Sequence, residues 1–275
     1  MRRRAPGRDP GIYGPDSVSW KVHKETTVLF GGARALLMQA AHPLVIAGAR
    51  QTGFYQRNPW KRLERTLQLA YTITFGTRAE ALAAAEQINE VHRRVNGIDD
   101  VTGLPYDAFD PELLLWVHAC LVDSALLFEE LTVGRLRSEE REQFHREQMV
   151  GAELLGLPRS HIPPTVPALR AYIDMIVESD ELHVGTSALA VADTIRHPPP
   201  EAEYHQVLAA VSFWAFGTLP GPLKKQYGVR WSPLHAIALR ASLRALRTAR
   251  PALPRRFRVI EPAAHARTRL DEQRV

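Results

Sequence analysis

The chain has 275 residues, 45% of them hydrophobic and 24% charged, with a formal net charge of +5 at pH 7. That composition can build a substantial core without staples, and the single cysteine, Cys120, excludes an intramolecular disulfide or a thiolate metal cage. The positive charge sits at the ends. Residues 1–10 hold four arginines against one aspartate, and residues 250–275 hold seven arginines against three acids, which leaves a slightly acidic body with no folded nucleic-acid-binding face expected.

Residues 1–18 read as a basic, flexible N-terminal segment. No apolar run follows Arg2, Arg3 and Arg4, so neither a secretory nor a twin-arginine signal is expected. One helical domain is expected over 19–249, followed by a second flexible basic segment over 250–275. Alternating β-branched runs are scarce, and helical periodicity dominates. The pattern predicts about ten helices: 23–49 (bent at Pro43), 60–76, 78–96, 110–133, 138–155, 165–180, 184–195, 201–217, 220–227 and 232–248. Asp110-Pro111 and Ser138-Glu139-Glu140 read as helix starts, and Gly76, Gly97 and Gly156 as helix ends. His197-Pro198-Pro199-Pro200 reads as a stiff linker. The longest apolar stretch, Val28 to Ala49, is broken by Arg34, Gln39, His42 and Pro43, so no transmembrane segment is expected. Cys120 lies in the apolar run Trp116 to Val122 and reads as a small buried thiol, which fits a reducing cytoplasm.

Phosphate loops, His-Glu-x-x-His helices and Gly-x-Ser-x-Gly elbows are absent from the sequence. Three histidines fall on apolar helical faces instead. His92 has Ile88, Val91 and Val95 as stripe neighbours, His118 has Leu114, Leu115, Leu121 and Val122, and His42 precedes Pro43 beside Met38, Ala41 and Val45. Each could be a hydrogen-bonded core histidine or a metal ligand, since a buried neutral imidazole needs a polar partner either way. A heme asks for one axial imidazole, an apolar slot and cations for its propionates. A di-iron site asks for paired Glu-x-x-His motifs, and only the Asp180 and His183 spacing approaches one. Arg62, Arg65 and Thr66 share a helical face by their i, i+3, i+4 spacing. They read either as a solvated cationic face or as donors to a propionate, dioxygen or a substrate oxygen.

The ordered set Leu36-Leu37-Met38-Gln39-Ala40-Ala41-His42-Pro43, Arg62-x-x-Arg65-Thr66, Phe75-Gly76, Val91-His92-x-x-Val95 and Trp116-Val117-His118 resembles the MpaB/rubber oxygenase catalytic domain, over roughly residues 15–250. The resemblance implies an all-α bundle with globin-like packing and a b-type heme. It makes His92 the iron ligand, and Arg62, Arg65 and Thr66 the counterparts of an Arg-x-x-Lys-Thr motif in which Arg65 replaces lysine. His42 and His118 match positions shared by many members. The expected activity is that of a heme-dependent oxygenase using dioxygen to oxidise or cleave a C=C bond in an apolar, prenyl or lipid-like substrate. Cofactor-binding candidates are His92, Arg62, His42 and His118, and catalytic candidates are Arg62, Arg65 and Thr66. A heme- or lipid-binding protein without turnover and a di-iron oxygenase are the alternatives, and a homodimer is compatible with the sequence.

Overall fold

The computed structural model describes residues 9–53, 59–198 and 205–273, without the side chains of residues 59, 60 and 62. These residues are predominantly helical. In chain order the helices are α1 (Val18–His23), α2 (Thr26–Leu29), α3 (Gly31–Ala40), α4 (Pro43–Gln51), α5 (Pro59–Phe75), α6 (Arg78–His92), α7 (Pro111–Thr132) and α8 (Ser138–Leu154). They continue with α9 (Val166–Glu178), α10 (Thr186–Arg196), α11 (His205–Thr218), α12 (Gly221–Gln226), α13 (Pro233–Ala249), α14 (Arg255–Arg258) and α15 (Glu261–Glu272).

Two helix starts show the local chemistry most plainly. Asp110 accepts a hydrogen bond from the Glu112 backbone N–H at 2.9 Å, ahead of Pro111 in the first turn of α7. Thr77 and Glu80 cap α6 reciprocally, the Glu80 carboxylate accepting from Thr77 N–H at 2.7 Å. The helix expected over 23–49 is instead three, α2, α3 and α4, with α4 turned by 105° from the α2–α3 run. Pro43 is the cause of the last break: it holds His42 in an extended conformation and opens α4 as its first residue.

The core is built on α3 and α7. Leu37, Met38, Ala41, Trp116, Cys120, Val122 and Phe144 are buried there, with α9, α10, α11 and α12 closing around them. Cys120 is fully buried, and burial pushes its thiol pKa well up. A charge sits inside this core. Arg34 of α3 pairs with Asp123 of α7 at 2.8 Å, donates to Ser124 Oγ at 2.7 Å and reaches the Thr218 carbonyl at the end of α11 at 3.1 Å. The α7 helix is long and apolar enough to cross a membrane, but 61% of its most apolar window is buried within the fold.

Three expectations are corrected. First, α6 ends at His92, and residues Asn96–Ile98 pair antiparallel with Pro105–Asp107 as a two-stranded hairpin, so Gly97 lies in a strand and not at a helix end. Second, residues 250–273 are folded, not a flexible tail. Their arginines hide an apolar stripe, Ile260, Ala263, Ala266 and Leu270, which packs with Trp20 and Phe75. Arg250 forms an ion pair with buried Glu25 through Nη2 at 2.5 Å, and Arg269 donates to the Phe75 carbonyl at 3.0 Å. Third, within the expected N-terminal segment, Tyr13 is buried, and Asp9 accepts from the Arg78 backbone N–H at 3.0 Å. Residues 1–8, and residues 199–204 of the expected Pro-rich linker and helix start, lie outside the described residues.

Replacing Arg34 by alanine would leave Asp123 without its closest cation, and Ser124 and the Thr218 carbonyl without a donor. We expect a loss of about 3 kcal/mol of stability, measured by urea denaturation. A variant as stable as the parent would show that the pair does not anchor α3.

Candidate active site

Each candidate histidine is placed by a different local device. His42 is the residue before Pro43, so its backbone is extended at the corner between α3 and α4, where the Ala41 carbonyl accepts from His183 N–H at 2.8 Å. His92 is the last residue of α6, with its ring edge-on to Phe109 at 5.7 Å between centroids. His118 lies two turns into α7 past the Asp110 cap, about 12 Å along the helix axis. Phe109 and Asp110 tie the first two together. His92 packs on the one, and the carboxylate of the other is close enough to His42 to act on its protonation.

The sequence reading missed a fourth histidine. His145 of α8 is fully buried, and its Nε2 lies 2.7 Å from the Pro163 carbonyl, an acceptor that fixes the proton on that nitrogen. Its ring centroid is 6.5 Å from that of His118. The signal was present: Met149 and Ala152, at i+4 and i+7 from His145, are buried, but the Glu- and Arg-rich surroundings masked the stripe.

These imidazoles share an uncommon condition. His42 Nδ1, His92 Nδ1, His118 Nε2 and His145 Nδ1 are all buried without a hydrogen-bond partner. Buried polar nitrogens are normally satisfied, so four orphans at one end of α7 call for a ligand, water or metal to complete them. Burial lowers the pKa of His42, against an upward pull from Asp110, and lowers that of His92. It brings His118 down to about 4, with the neighbouring His145 adding to the effect. At neutral pH these three rings are therefore neutral and keep a lone pair.

The neighbours of these rings differ partly from the expected stripes. Leu114, Leu115 and Val122 are buried beside His118, whereas Leu121 is 51% exposed and Val91, next to His92, is 47% exposed. Arg65 and Thr66 lie on the exposed side of α5, and the side chain of Arg62 lies outside the described residues. The helix that carries them packs on α6 through Leu69, Ile73, Ala84, Ala85 and Ile88, so the motif and His92 belong to one helical hairpin. Asp180 and His183 line a 460 Å³ polar pocket with Ser179 and Gln226, and the His183 N–H bond to Ala41 places it next to the His42 corner. Among the described residues no group of three or more His, Cys, Asp or Glu side chains is gathered closely enough to hold a metal ion by itself. A cofactor that brings its own donor atoms and needs one imidazole is the better match to such scattered nitrogens.

Comparison with known proteins gives the family of the chain. Residues 20–248 match the family model described as the ER-bound oxygenase mpaB/B'/rubber oxygenase catalytic domain. Uncharacterised proteins of Mycobacterium bovis and Mycobacterium tuberculosis are each 24% identical over 196 residues, covering 69% of this chain and 71% of theirs. No solved structure matches.

The buried rings make acid sensitivity testable. A histidine whose folded pKa lies below its unfolded value of about 6.5 supports the fold above that pH and ceases to as the pH falls toward the folded value. For His118 the window is therefore pH 6.5 down to about 4. The shift corresponds to a contribution of about 3 kcal/mol. The melting temperature of the parent should fall across that window, and His118→Gln should fall less steeply. Parallel curves for the two proteins would refute the assignment.

Proposed function

The chain belongs to the MpaB/rubber oxygenase catalytic-domain family and is an oxygenase; from that premise we propose that it works with a b-type heme held by His92 and acts on an apolar, unsaturated chain of prenyl or lipid-like character. The observation that carries this reading is the state of the His92 ring: neutral by burial, braced on Phe109, and carrying an unsatisfied nitrogen. A neutral imidazole is the donor that a heme iron would take, and His92 would supply it. When bound, a heme supplies the activation of dioxygen. The protein's own contribution is to fix the donor ring, keep water out and hold the substrate's double bond in place.

His92 terminates α6, so the helix and the Phe109 contact together limit rotation of its ring. Arg65 puts a guanidinium, which is no base, where the motif has lysine. It and Thr66 face outward on α5, so in this reading the motif acts from the surface of that helix, on a propionate or substrate oxygen that reaches its edge. Leu114, Leu115 and Phe109, clustered with Met149 and Ile162, give the apolar wall against which an unsaturated chain can lie. His42 and His118 stay uncharged at neutral pH and offer ring nitrogens that can accept or donate a single proton. The lone thiol, buried in the core, suits a cytoplasmic setting for this chemistry.

Protein produced with heme supplementation should show a Soret band that shifts on dithionite reduction, and should consume oxygen with an unsaturated lipid and a reductant. His92→Ala should lose the Soret band while keeping its helical circular dichroism. A variant that retains heme like the parent would overturn the ligand, and a colourless parent that takes up no added hemin would overturn the heme.

A further inference from the structure

A second cavity lies at the other end of α7, and the oxygenase reading makes no use of it. About 750 Å³ of space opens between the last turns of α7, the end of α11 and one face of α13. That volume is within the roughly 300–1,000 Å³ typical of ligand pockets. Its nearest α7 residue, Leu127, is nine residues beyond His118, about 14 Å along the axis.

The lining divides into two parts. Leu127, Leu131, Val133, Leu239 and Leu243 form an apolar floor, and Arg240, Arg244 and Arg247 stand along one stripe of α13 at its edge. Their spacing of four and three residues sets the guanidiniums in a row about 10 Å long. The groove's acid, Glu130, is already engaged: Arg141 holds one of its oxygens at 3.0 Å and Arg135 approaches the other at 4.0 Å. Arg247 donates to the Glu130 backbone carbonyl at 3.2 Å. The guanidiniums of Arg240 and Arg244 have no hydrogen bond or ion pair among the described residues. A groove with an apolar floor, a cationic rim and no free carboxylate is complementary to a molecule with a long apolar chain and an anionic head.

We propose that this groove binds an amphipathic anion with a single long chain, a free long-chain carboxylate in the simplest case, its chain on Leu127, Leu131 and Leu239 and its head on Arg240 and Arg244. The arginine fork suits a carboxylate, which can accept two parallel N–H bonds from one guanidinium. One row of cations beside one apolar floor suits a single chain with a single head better than a bilayer, whose many headgroups would ask for a broad basic face.

Titration calorimetry with monomeric oleate, on the full-length protein, tests this. Oleyl alcohol, which lacks the charge, and hexanoate, which lacks the chain, should each bind about tenfold more weakly or worse. The exposed pair Arg240→Glu and Arg244→Glu, which leaves the core untouched, should weaken oleate to a similar degree. His92→Ala should leave oleate binding unchanged, so the groove can stand if the heme reading fails. The proposal is overturned if oleate does not bind, if the double variant binds it like the parent, or if the alcohol binds as well as the acid. Sedimentation with phosphatidylglycerol vesicles in the absence of oleate binding would make the face a membrane surface and overturn the groove as well.

Discussion

A single buried cation organises this fold. Arg34 reaches Asp123, Ser124 and the Thr218 carbonyl, so one guanidinium ties α3 to α7 and to the end of α11. Charges at such depth are tolerated only when fully paired and hydrogen-bonded, which makes the arrangement stringent in direction as well as in energy. It fixes the rotation of α3 about its axis, and therefore which way the chain leaves Ala40. Tyr227 and Trp116 add to this by donating to the Leu37 and Met38 carbonyls at 2.7 and 3.3 Å. The Pro43 turn and His42 follow from that exit. Glu129, on the same helix as Asp123, shows the contrary case: without an equivalent partner for one oxygen, burial and nearby Glu25 raise its pKa to about 7.

Around this rigid centre the histidines are unlike core residues in general. A fold that needed His42, His92, His118 and His145 only to fill space would be better served by apolar side chains, because each orphaned nitrogen costs roughly 1–3 kcal/mol. In the proposed reading an oxygenase site is the reason for tolerating that cost: at His42, His92 and His118 stability is traded for ring nitrogens that burial keeps neutral.

The helical class, the α7 start and the burial of Cys120 were legible because each depends on local pattern: periodicity, an Asp-Pro cap, an uninterrupted apolar run. The breaks in 18–51 were harder, since only Pro43 announces itself, whereas the turns at Lys24 and Phe30 are imposed by packing against α7 and α8. Residues 255–272 misled for a different reason. Net charge describes the whole segment, but four apolar residues on one face decide whether it docks. His145 was hidden in the same way, among charges that lie on the opposite side of α8. For the candidate site, sequence singled out His42, His92, His118 and the arginine motif as candidates. It could not foresee that Arg65 and Thr66 face outward on α5, or that His92 would be braced by a residue seventeen positions later.

The corner between α5 and α6 joins distant parts of the chain. Asp9 caps the first turn of α6, Gly11, at φ +82°, fits against the Gly76 carbonyl where any side chain would collide, and Arg269 closes on Phe75 from the far end. During synthesis the hairpin bearing Arg65 and His92 leaves the ribosome long before α15 exists to cover it. Until the last helix has been made, the α5–α6 corner lacks both the Arg269 hydrogen bond and the apolar cover of Leu270, so a chain cut short before residue 261 would leave Phe75 and Trp20 uncovered.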